Sequence, residues 1–344
     1  MDQYLIAAIL VVALALVFNF SNGFHDSANQ VAAVITSGAL SPQVALSLAA
    51  GSDFLGAYFL GIPVAETIGK GIVNAELMRA SNVGIFVICS ALLAALSWNV
   101  ITWRVGFPSS SSHALMGGMI GAFVAGWGMA PVQWGNVLGI ILVMLVSPLA
   151  GFALTYLFTK LTFFFSQYLG FGTNEFFKKM QGVSLVVQSL THGANDAQKT
   201  MGVIVFGLVV LDFHHPHAGA SFIPPWIVLS CSLTIALGVL LGGWKLIRRL
   251  GAGLYRIRPI HAFASQAASG SIMYLTSIFG FPISTTQVVS SSILGAGAAF
   301  RPKAVRWQVA GDMGVAWLIT MPVSAFLSAG FFYASKFIFV RGIG

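Results

Sequence analysis

The chain has 344 residues, of which 57% are hydrophobic and 8% charged, and its formal net charge is +8. Soluble domains carry about 25% charged residues, so the composition excludes a water-soluble globule and leaves no segment for a soluble catalytic domain. The two cysteines, Cys89 and Cys231, stand singly in apolar sequence, so neither a disulfide framework nor a cysteine metal site is predicted.

Apolar blocks, each near the length of about 20 residues that crosses a bilayer as a helix, follow one another along the chain. In the first half they lie at about 4–36, 43–62, 82–103, 107–128 and 131–158. In the second half they lie at about 183–211, 224–244, 259–280, 282–300 and 307–335. The pattern predicts an all-α polytopic membrane protein whose first block is a retained helix and not a cleaved signal peptide.

Each half contains five such blocks, and an odd number of crossings repeated in tandem places the second copy upside down in the membrane. We therefore predict two inverted-topology repeats, at 1–158 and 183–344, joined by a cytoplasmic linker at 159–182. The first and fourth blocks of each half are candidates for broken or re-entrant segments.

Basic residues predict the orientation of the chain. The most basic segment is expected in the cytoplasm; it contains Lys245, Arg248, Arg249, Arg256 and Arg258. Counting crossings outward from it puts six more on that side: Lys160, Lys178, Lys179, Arg301, Lys303 and Arg306. Both termini then lie outside the cell (inner or plasma) membrane, although Lys336 and Arg341 on that side run against the bias. The positive charge is thus assigned to orientation, and no nucleic-acid partner is predicted.

Two similar polar strings interrupt the apolar sequence. Residues 22–29 read NGFHDSAN and residues 192–199 read HGANDAQK, which aligns Asp26 with Asp196 at an offset of 170. Carboxylates at membrane depth are energetically costly and are usually functional. The glycine and short polar residues around them predict an unwound or kinked helix whose freed backbone groups face a ligand. A packed structural kink is the alternative for either string alone, and the duplication favours function.

A second pair of strings lies downstream, FPSSSSH at 107–113 and FPISTTQ at 281–287, at an offset of 174. Proline is tolerated at the first position of a helix, where the following turn offers unpaired N–H groups with a partial positive charge. Hydroxyl groups add further donors: Ser110, Ser111 and Ser112 in the first string, and Ser284, Thr285 and Thr286 in the second. These features predict a site for a tetrahedral oxyanion, whereas one string alone would suit ordinary helix capping.

Carboxylates beside an anion site could distinguish phosphate from sulfate. At neutral pH phosphate keeps one or two protons and can donate a hydrogen bond to an ionised Asp, which deprotonated sulfate cannot do. The same acids could instead hold a coupling cation or carry a coupling proton, and the sequence leaves these roles open. Asp53 and Asp312 are further intramembrane acids that either line the pathway or pair with buried partners.

With these four strings in order, the chain resembles the inorganic phosphate transporter (Pit) family of secondary permeases over essentially its whole length. The resemblance implies inward phosphate transport coupled to a proton or sodium gradient, at one central site enclosed by broken helices and hairpin-like segments of both halves. For bacterial proton-coupled members it implies a neutral metal-phosphate complex as the transported species. The family's ion-binding strings match Asp26, Asn29, Asn195 and Asp196, and its phosphate-binding turns match Ser110, Ser111, Thr285 and Thr286.

The sequence departs from the sodium-type pattern at His25 and Lys199, each of which stands where the family usually has Asn. A Lys ammonium would repel sodium or neutralise Asp196 directly, so proton coupling is expected over sodium coupling. His25 is a candidate proton carrier, with a neutral hydrogen-bonding role as the alternative. The candidate coupling-ion residues are His25, Asp26, Asn29, Asp196 and Lys199. The candidate substrate-binding residues are Asp26, Ser110, Ser111, Ser112, Asn195, Asp196, Ser284, Thr285 and Thr286.

The sequence therefore favours a secondary phosphate:cation symporter, with inorganic phosphate, a coupling proton or sodium ion and the lipid bilayer as partners. A sodium-coupled symporter, a permease for another oxyanion such as sulfate, and a channel remain alternatives. An intramembrane hydrolase built from Ser110 to Ser112, His113 and Asp26 is disfavoured because the second half has Gln287 in place of His113. No cofactor, resident metal or enzymatic activity is predicted, and the oligomeric state, including a homodimer, is left open.

Overall fold

The computed structural model describes residues 2–73, 83–106, 109–168, 172–214, 222–242, 244, 247 and 257–342. Within these ranges it contains eleven α-helices: α1 (Asp2–Thr36), α2 (Pro42–Phe59), α3 (Pro63–Gly71), α4 (Gly84–Val105), α5 (Ser111–Trp127), α6 (Trp134–Ser166), α7 (Thr173–Val210), α8 (Pro225–Leu241), α9 (Pro259–Ile278), α10 (Thr285–Phe300) and α11 (Trp307–Gly342). One isolated β-bridge, Val73 to Val132, is the whole of the β-structure in this described part. The prediction of an all-α protein is confirmed.

Every predicted apolar block corresponds to a helix. By length and composition α1, α4, α6 and α11 can each cross a membrane alone, and α2 with α3 forms a fifth candidate span that bends by 66°. This break, which gives the short helix α3, follows from Gly61, whose φ of 89° favours glycine, and from Pro63 at the start of α3. The chain thus has the elements of a multi-pass bundle.

Helix ends occupy most of the segment that joins the two halves. Helix α6 continues to Ser166 and α7 begins at Thr173, so most of the predicted linker at 159–182 is helical. Of the basic segment used for orientation, Arg258 is described and lies just before α9. The other four members, Lys245, Arg248, Arg249 and Arg256, lie outside the described residues.

The aspartate strings do not break their helices, so the prediction of an unwound segment there is wrong. Helices α1 and α7 run continuously through Asp26 and Asp196. Gly23 and Gly193 serve close packing instead: a Cβ on Gly23 would overlap the carbonyl oxygen of Ile235 in α8, and one on Gly193 would overlap that of Asp53 in α2. Small residues at such positions let two membrane helices approach closely.

The two halves pack in reciprocal fashion. Helix α1 packs on α8 as α7 packs on α2, and α6 packs on α10 as α11 packs on α5. Helices α1 and α7 are antiparallel, because Val11 contacts Gly207 near the end of α7 while the Ser37 hydroxyl donates to Gln181 Oε1, at 2.6 Å, near its start. The first long helix of each half therefore runs in the opposite direction to its counterpart.

Aromatic rings close one end of the bundle. Phe163 of α6 stacks on Phe300 of α10 with centroids 5.6 Å apart, and His261 of α9 lies 4.9 Å from the same ring. Arg258 places its guanidinium 4.9 Å from the Phe300 centroid. The described basic residues of the predicted cytoplasmic side belong to helix ends and turns here: Lys160, Lys178, Lys179, Arg301, Lys303 and Arg306. We call this end of the bundle the basic end.

Helices α4 with α5 and α9 with α10 form two hairpins whose tips meet. Gly106 and Gly280 turn the chain at the tips with φ of 76° and 72°, a conformation that favours glycine. Ser110 and Ser284 are the N-caps of α5 and α10, and their hydroxyls are 2.7 Å apart. Pro282 stands two residues before its N-cap and not at the first helical position, so that detail of the prediction is wrong. Pro108 lies outside the described residues.

The close approach of α2 to α7 gives a test of the packing. A Cβ on Gly56 would overlap the Leu190 carbonyl group, so Gly56→Ala should destabilise the protein by about 1–3 kcal/mol. Gly330→Ala on α11 is the matched control, since a Cβ there meets no atom within 4 Å. Thermal unfolding of both variants in detergent measures the effect. Equal midpoints for the two variants would contradict the packing described here.

Candidate functional site

Two carboxylates from different halves lie at the centre of the bundle, each held by hydrogen-bond donors. Asp26 Oδ1 accepts from Thr286 Oγ1 at 2.7 Å and from Asn29 Nδ2 at 2.8 Å. Asp196 Oδ2 accepts from Thr285 Oγ1 at 2.9 Å. Asp26 is 1% exposed and Asp196 is fully buried. Buried carboxylates need such donors, because an unpaired buried charge is strongly unfavourable.

The Asp26 contacts have counterparts around Asp196. Ser111 Oγ donates to Asp26 Oδ2 at 3.4 Å, as Thr285 does to Asp196. The hairpin that supplies Thr286 to Asp26 belongs to the second half, so the carboxylate of the first half takes a donor from the other half. The two carboxylates and the hairpin hydroxyls therefore lie in one hydrogen-bonded cluster.

Lys199 and Asn29 hold equivalent positions in this network. Lys199 Nζ donates to Asp196 Oδ1 at 2.5 Å and to Ser112 Oγ at 2.6 Å. Asn29 Nδ2 donates to Asp26 Oδ1 at 2.8 Å and to Thr286 Oγ1 at 3.3 Å. Lys199 also donates to the Ile283 carbonyl oxygen at 2.6 Å. An ammonium group thus replaces a neutral amide in one half, and it neutralises the carboxylate beside it.

The hairpin hydroxyls divide into two groups. Ser111, Ser112, Thr285 and Thr286 contact the carboxylate network, and Ser111 also donates to Asn22 Oδ1. The N-cap residues are engaged otherwise: Ser110 accepts from the His113 backbone N–H at 3.1 Å, and Ser284 accepts from that of Gln287 at 3.3 Å. The N-caps therefore fix the helix starts, and the residues one and two positions later face the carboxylates.

Two predicted residues contact groups outside the network. Asn195 Nδ2 donates to Ser277 Oγ and to the Phe281 carbonyl oxygen, both at 3.3 Å, so it holds the second hairpin near its tip. His25 Nδ1 lies 3.5 Å from Asp26 Oδ1, but its ring also lines a separate cavity of about 300 Å³ between α1 and α4, beside Asn99 and Trp103.

His192 is a site residue to which the sequence analysis gave no role. Its Nε2 lies 3.3 Å from Asp196 Oδ2 and 3.8 Å from Asp26 Oδ2, and its Nδ1 lies 3.2 Å from Asp53 Oδ1. The Gln30 side chain donates from Nε2 to Asp53 Oδ2 at 2.9 Å, and its Oε1 accepts from the Ser189 hydroxyl. The alignment of His192 with Asn22 at the head of the strings was the signal for its position. Asp53 thus belongs to the site, whereas Asp312 lies exposed on α11.

The central groups could also hold a cation. One ligand atom from each of Asp26, His192 and Asp196 lies within 4.8 Å of the others. In this structure the Lys199 ammonium already supplies a positive charge to Asp196. The geometry therefore combines carboxylates, one fixed cation, an imidazole and helix-start hydroxyls in one buried cluster.

Comparisons with known proteins show the family of the chain. The model of the phosphate transporter family matches twice, at residues 22–170 and 169–328. The chain belongs to the phosphate transporter family. It is 39% identical over 342 residues to a probable low-affinity inorganic phosphate transporter of Rhizobium meliloti (strain 1021), covering 98% of this chain and 100% of that protein. It is 41% identical over 341 residues to a protein of the same description from Bacillus subtilis (strain 168), with 98% and 100% covered.

The fold of this phosphate transporter family member is also found among solved structures. The sodium-dependent phosphate transporter has a TM-score of 0.86 and 24% sequence identity, over 96% of this chain and 99% of that one. Membership of a transporter family argues against the hydrolase alternative. Ser110 Oγ does lie 2.8 Å from His113 Nδ1, but the Asp26 carboxylate accepts hydrogen bonds from Asn29 and Thr286 instead.

The Lys199 contact predicts a coupled effect on stability. Lys199→Met leaves Asp196 buried without its cation and should lower the free energy of unfolding by about 3–5 kcal/mol. The double variant with Asp196→Asn should recover part of that loss, because the uncompensated charge is gone. Thermal unfolding of the two single variants and the double variant in detergent measures the coupling. Strictly additive effects would contradict a direct ion pair.

Proposed function

We propose that this protein is a secondary active transporter that imports inorganic phosphate together with protons. Phosphate binds between Asp26, Asp196 and the hydroxyls at the starts of α5 and α10. The observation that carries the proposal is the cross-half contact, in which Thr286 donates to Asp26 at 2.7 Å and Lys199 donates to Ser112 at 2.6 Å. A site shared in this way changes when the halves move relative to one another, as alternating access requires.

The donor and acceptor pattern suits phosphate. Ser111, Thr285 and Thr286 now donate to carboxylates, and they can turn to donate to phosphate oxygens at a helix N-terminus. The carboxylates of Asp26 and Asp196 then accept from P–OH groups, which phosphate has at neutral pH and sulfate lacks. A divalent metal carried with phosphate as a neutral complex would reduce repulsion at Asp26, which lacks a Lys partner.

Proton coupling is supported by the Lys199 position. A sodium ion at Asp196 would have to displace an ammonium group 2.5 Å from the carboxylate, against strong repulsion at that distance. Protons need no such vacant cation position. His192 contacts the Asp26, Asp53 and Asp196 carboxylates within 3.8 Å, and imidazole is the side chain that exchanges protons most readily near neutral pH.

The topology that we propose consists of two inverted repeats in the cell membrane. The antiparallel course of α1 and α7 and the reciprocal packing of the halves support the division at 1–158 and 183–344, and the double family match supports two repeats. The junction then lies in 159–182, mostly within helix ends. With the basic end in the cytoplasm, both termini lie outside.

Removing a site carboxylate should stop uptake. Asp26→Asn and Asp196→Asn each lose a charge-assisted hydrogen bond worth roughly 1.5–3 kcal/mol, so phosphate uptake into proteoliposomes should fall by about tenfold or more. Asp312→Asn makes the same chemical change at an exposed position on α11 and should retain wild-type uptake. Wild-type rates in both site variants would overturn the site assignment.

Replacing the ions identifies the coupling. An inward proton gradient in sodium-free proteoliposomes should drive accumulation of labelled phosphate, and a protonophore should abolish it. Adding sodium without a proton gradient should give equilibration only. Lys199→Asn, which restores the residue type found at Asn29, is the variant in which sodium should begin to stimulate uptake. A strict sodium requirement in the wild-type protein would refute proton coupling while leaving phosphate transport intact.

A further inference from the structure

A row of buried polar side chains lies between α7 and α9 and leads from the site to the basic end. Three hydrogen bonds lie along this row. The Ser37 hydroxyl, just after α1, donates to Gln181 Oε1 at 2.6 Å. Ser184 Oγ donates to Gln266 Oε1 at 2.7 Å, and Gln188 Nε2 donates to Ser269 Oγ at 3.0 Å. We call the five residues on α7 and α9 the polar seam: Gln181, Ser184, Gln188, Gln266 and Ser269. At 1.5 Å per residue, the 14 residues from Gln181 to Asn195 extend about 21 Å along α7.

The seam is deeply buried and incompletely satisfied. Each of its five members is at most 6% exposed. Gln181 Nε2, Gln188 Oε1 and Gln266 Nε2 have no hydrogen-bond partner among the described residues. Buried polar atoms without partners are energetically unfavourable. A row of them therefore indicates that water or a polar solute reaches these atoms in another state of the protein.

The other half lacks this seam. At the repeat offset of 170, the α7 members correspond to Val11, Leu14 and Phe18 of α1. At the offset of 174, Gln266 and Ser269 of α9 correspond to Leu92 and Ala95 of α4. All five counterparts are apolar, and four of them belong to the buried hydrophobic core, with Leu14 packed against it. Helix packing in general therefore does not require polar side chains at these positions.

From this asymmetry we propose that the polar seam is the route by which phosphate passes between the central site and the basic end. The inference rests on the proposed phosphate transport and adds the path. The seam offers amide and hydroxyl groups, which can donate to phosphate oxygens, and its five members include no carboxylate that would repel them. Neutral donors bind an anion weakly enough to release it, which suits a route better than a second binding site.

The route is closed in this structure. A Cβ on Gly270 would lie 3.3 Å from Gln188 Cα, so α9 lies directly against α7 at the middle of the seam. Passage of phosphate requires α9, and with it the hairpin that carries Thr285 and Thr286, to separate from α7. The seam atoms that lack partners are then hydrated, which lowers the free-energy difference between the closed and open arrangements.

Thiol labelling tests the route. In a Cys89→Ala/Cys231→Ala background, Ser269→Cys is compared with its apolar counterpart Ala95→Cys, using a membrane-impermeant methanethiosulfonate on right-side-out and inverted vesicles. Lys303→Cys, at an exposed position, marks the vesicles whose basic end faces the reagent. In those vesicles Ser269→Cys should react at least about tenfold faster than Ala95→Cys, because thiolate reactivity requires contact with water. Phosphate should slow the reaction, and equal sulfate should not.

Labelling and uptake are measured on the same variants, which separates the two proposals. If phosphate uptake persists while Ser269→Cys stays unreactive, or reacts no faster than Ala95→Cys, the seam is polar helix packing and the route is refuted. Reaction that phosphate does not slow also refutes it. If Ser269→Cys does not transport, Gln188→Cys with its counterpart Phe18→Cys replaces the pair. Absence of uptake in the wild-type protein would instead refute the proposed function.

Discussion

The structure depends on the hydrogen bonding of two carboxylates at membrane depth. Asp26 and Asp196 lie on different halves, and each takes a donor from the hairpin of the second half. Since an unpaired buried carboxylate is strongly unfavourable, the tip of the second hairpin must reach both carboxylates at the centre of the bundle. The glycine contacts of α1 with α8 and of α7 with α2 then hold the carboxylate-bearing helices where these donors can reach them.

Much of this arrangement was predictable from the sequence, because both the repeat and the cost of charge in a membrane are visible in it. Apolar blocks located every long helix, and the duplicated strings located Asp26, Asp196 and the hydroxyls. Two errors had a common cause. Glycine in a polar string was taken to break a helix, yet Gly23 and Gly193 lie within continuous helices and serve packing against a neighbour. Contact with a neighbouring helix depends on the tertiary structure, which the local sequence does not reveal.

Contacts between distant parts of the chain also escaped prediction. Asp53 is an isolated acid in the sequence, and only folding brings its carboxylate to 3.2 Å from the His192 ring. The second half likewise carries a polar row on α7 and α9 where the first half is apolar. The two repeats therefore share a helix arrangement but differ in the side chains at these positions. A comparison of motifs alone detects the shared arrangement and misses the differences.

The Lys199 ammonium is covalently tied to α7, whereas a dissolved cation could enter and leave. The positive charge that satisfies Asp196 is therefore present in every state of the protein, loaded or empty. It neutralises Asp196 without an ion from solution, whereas Asp26 accepts its hydrogen bonds from the neutral side chains of Asn29 and Thr286.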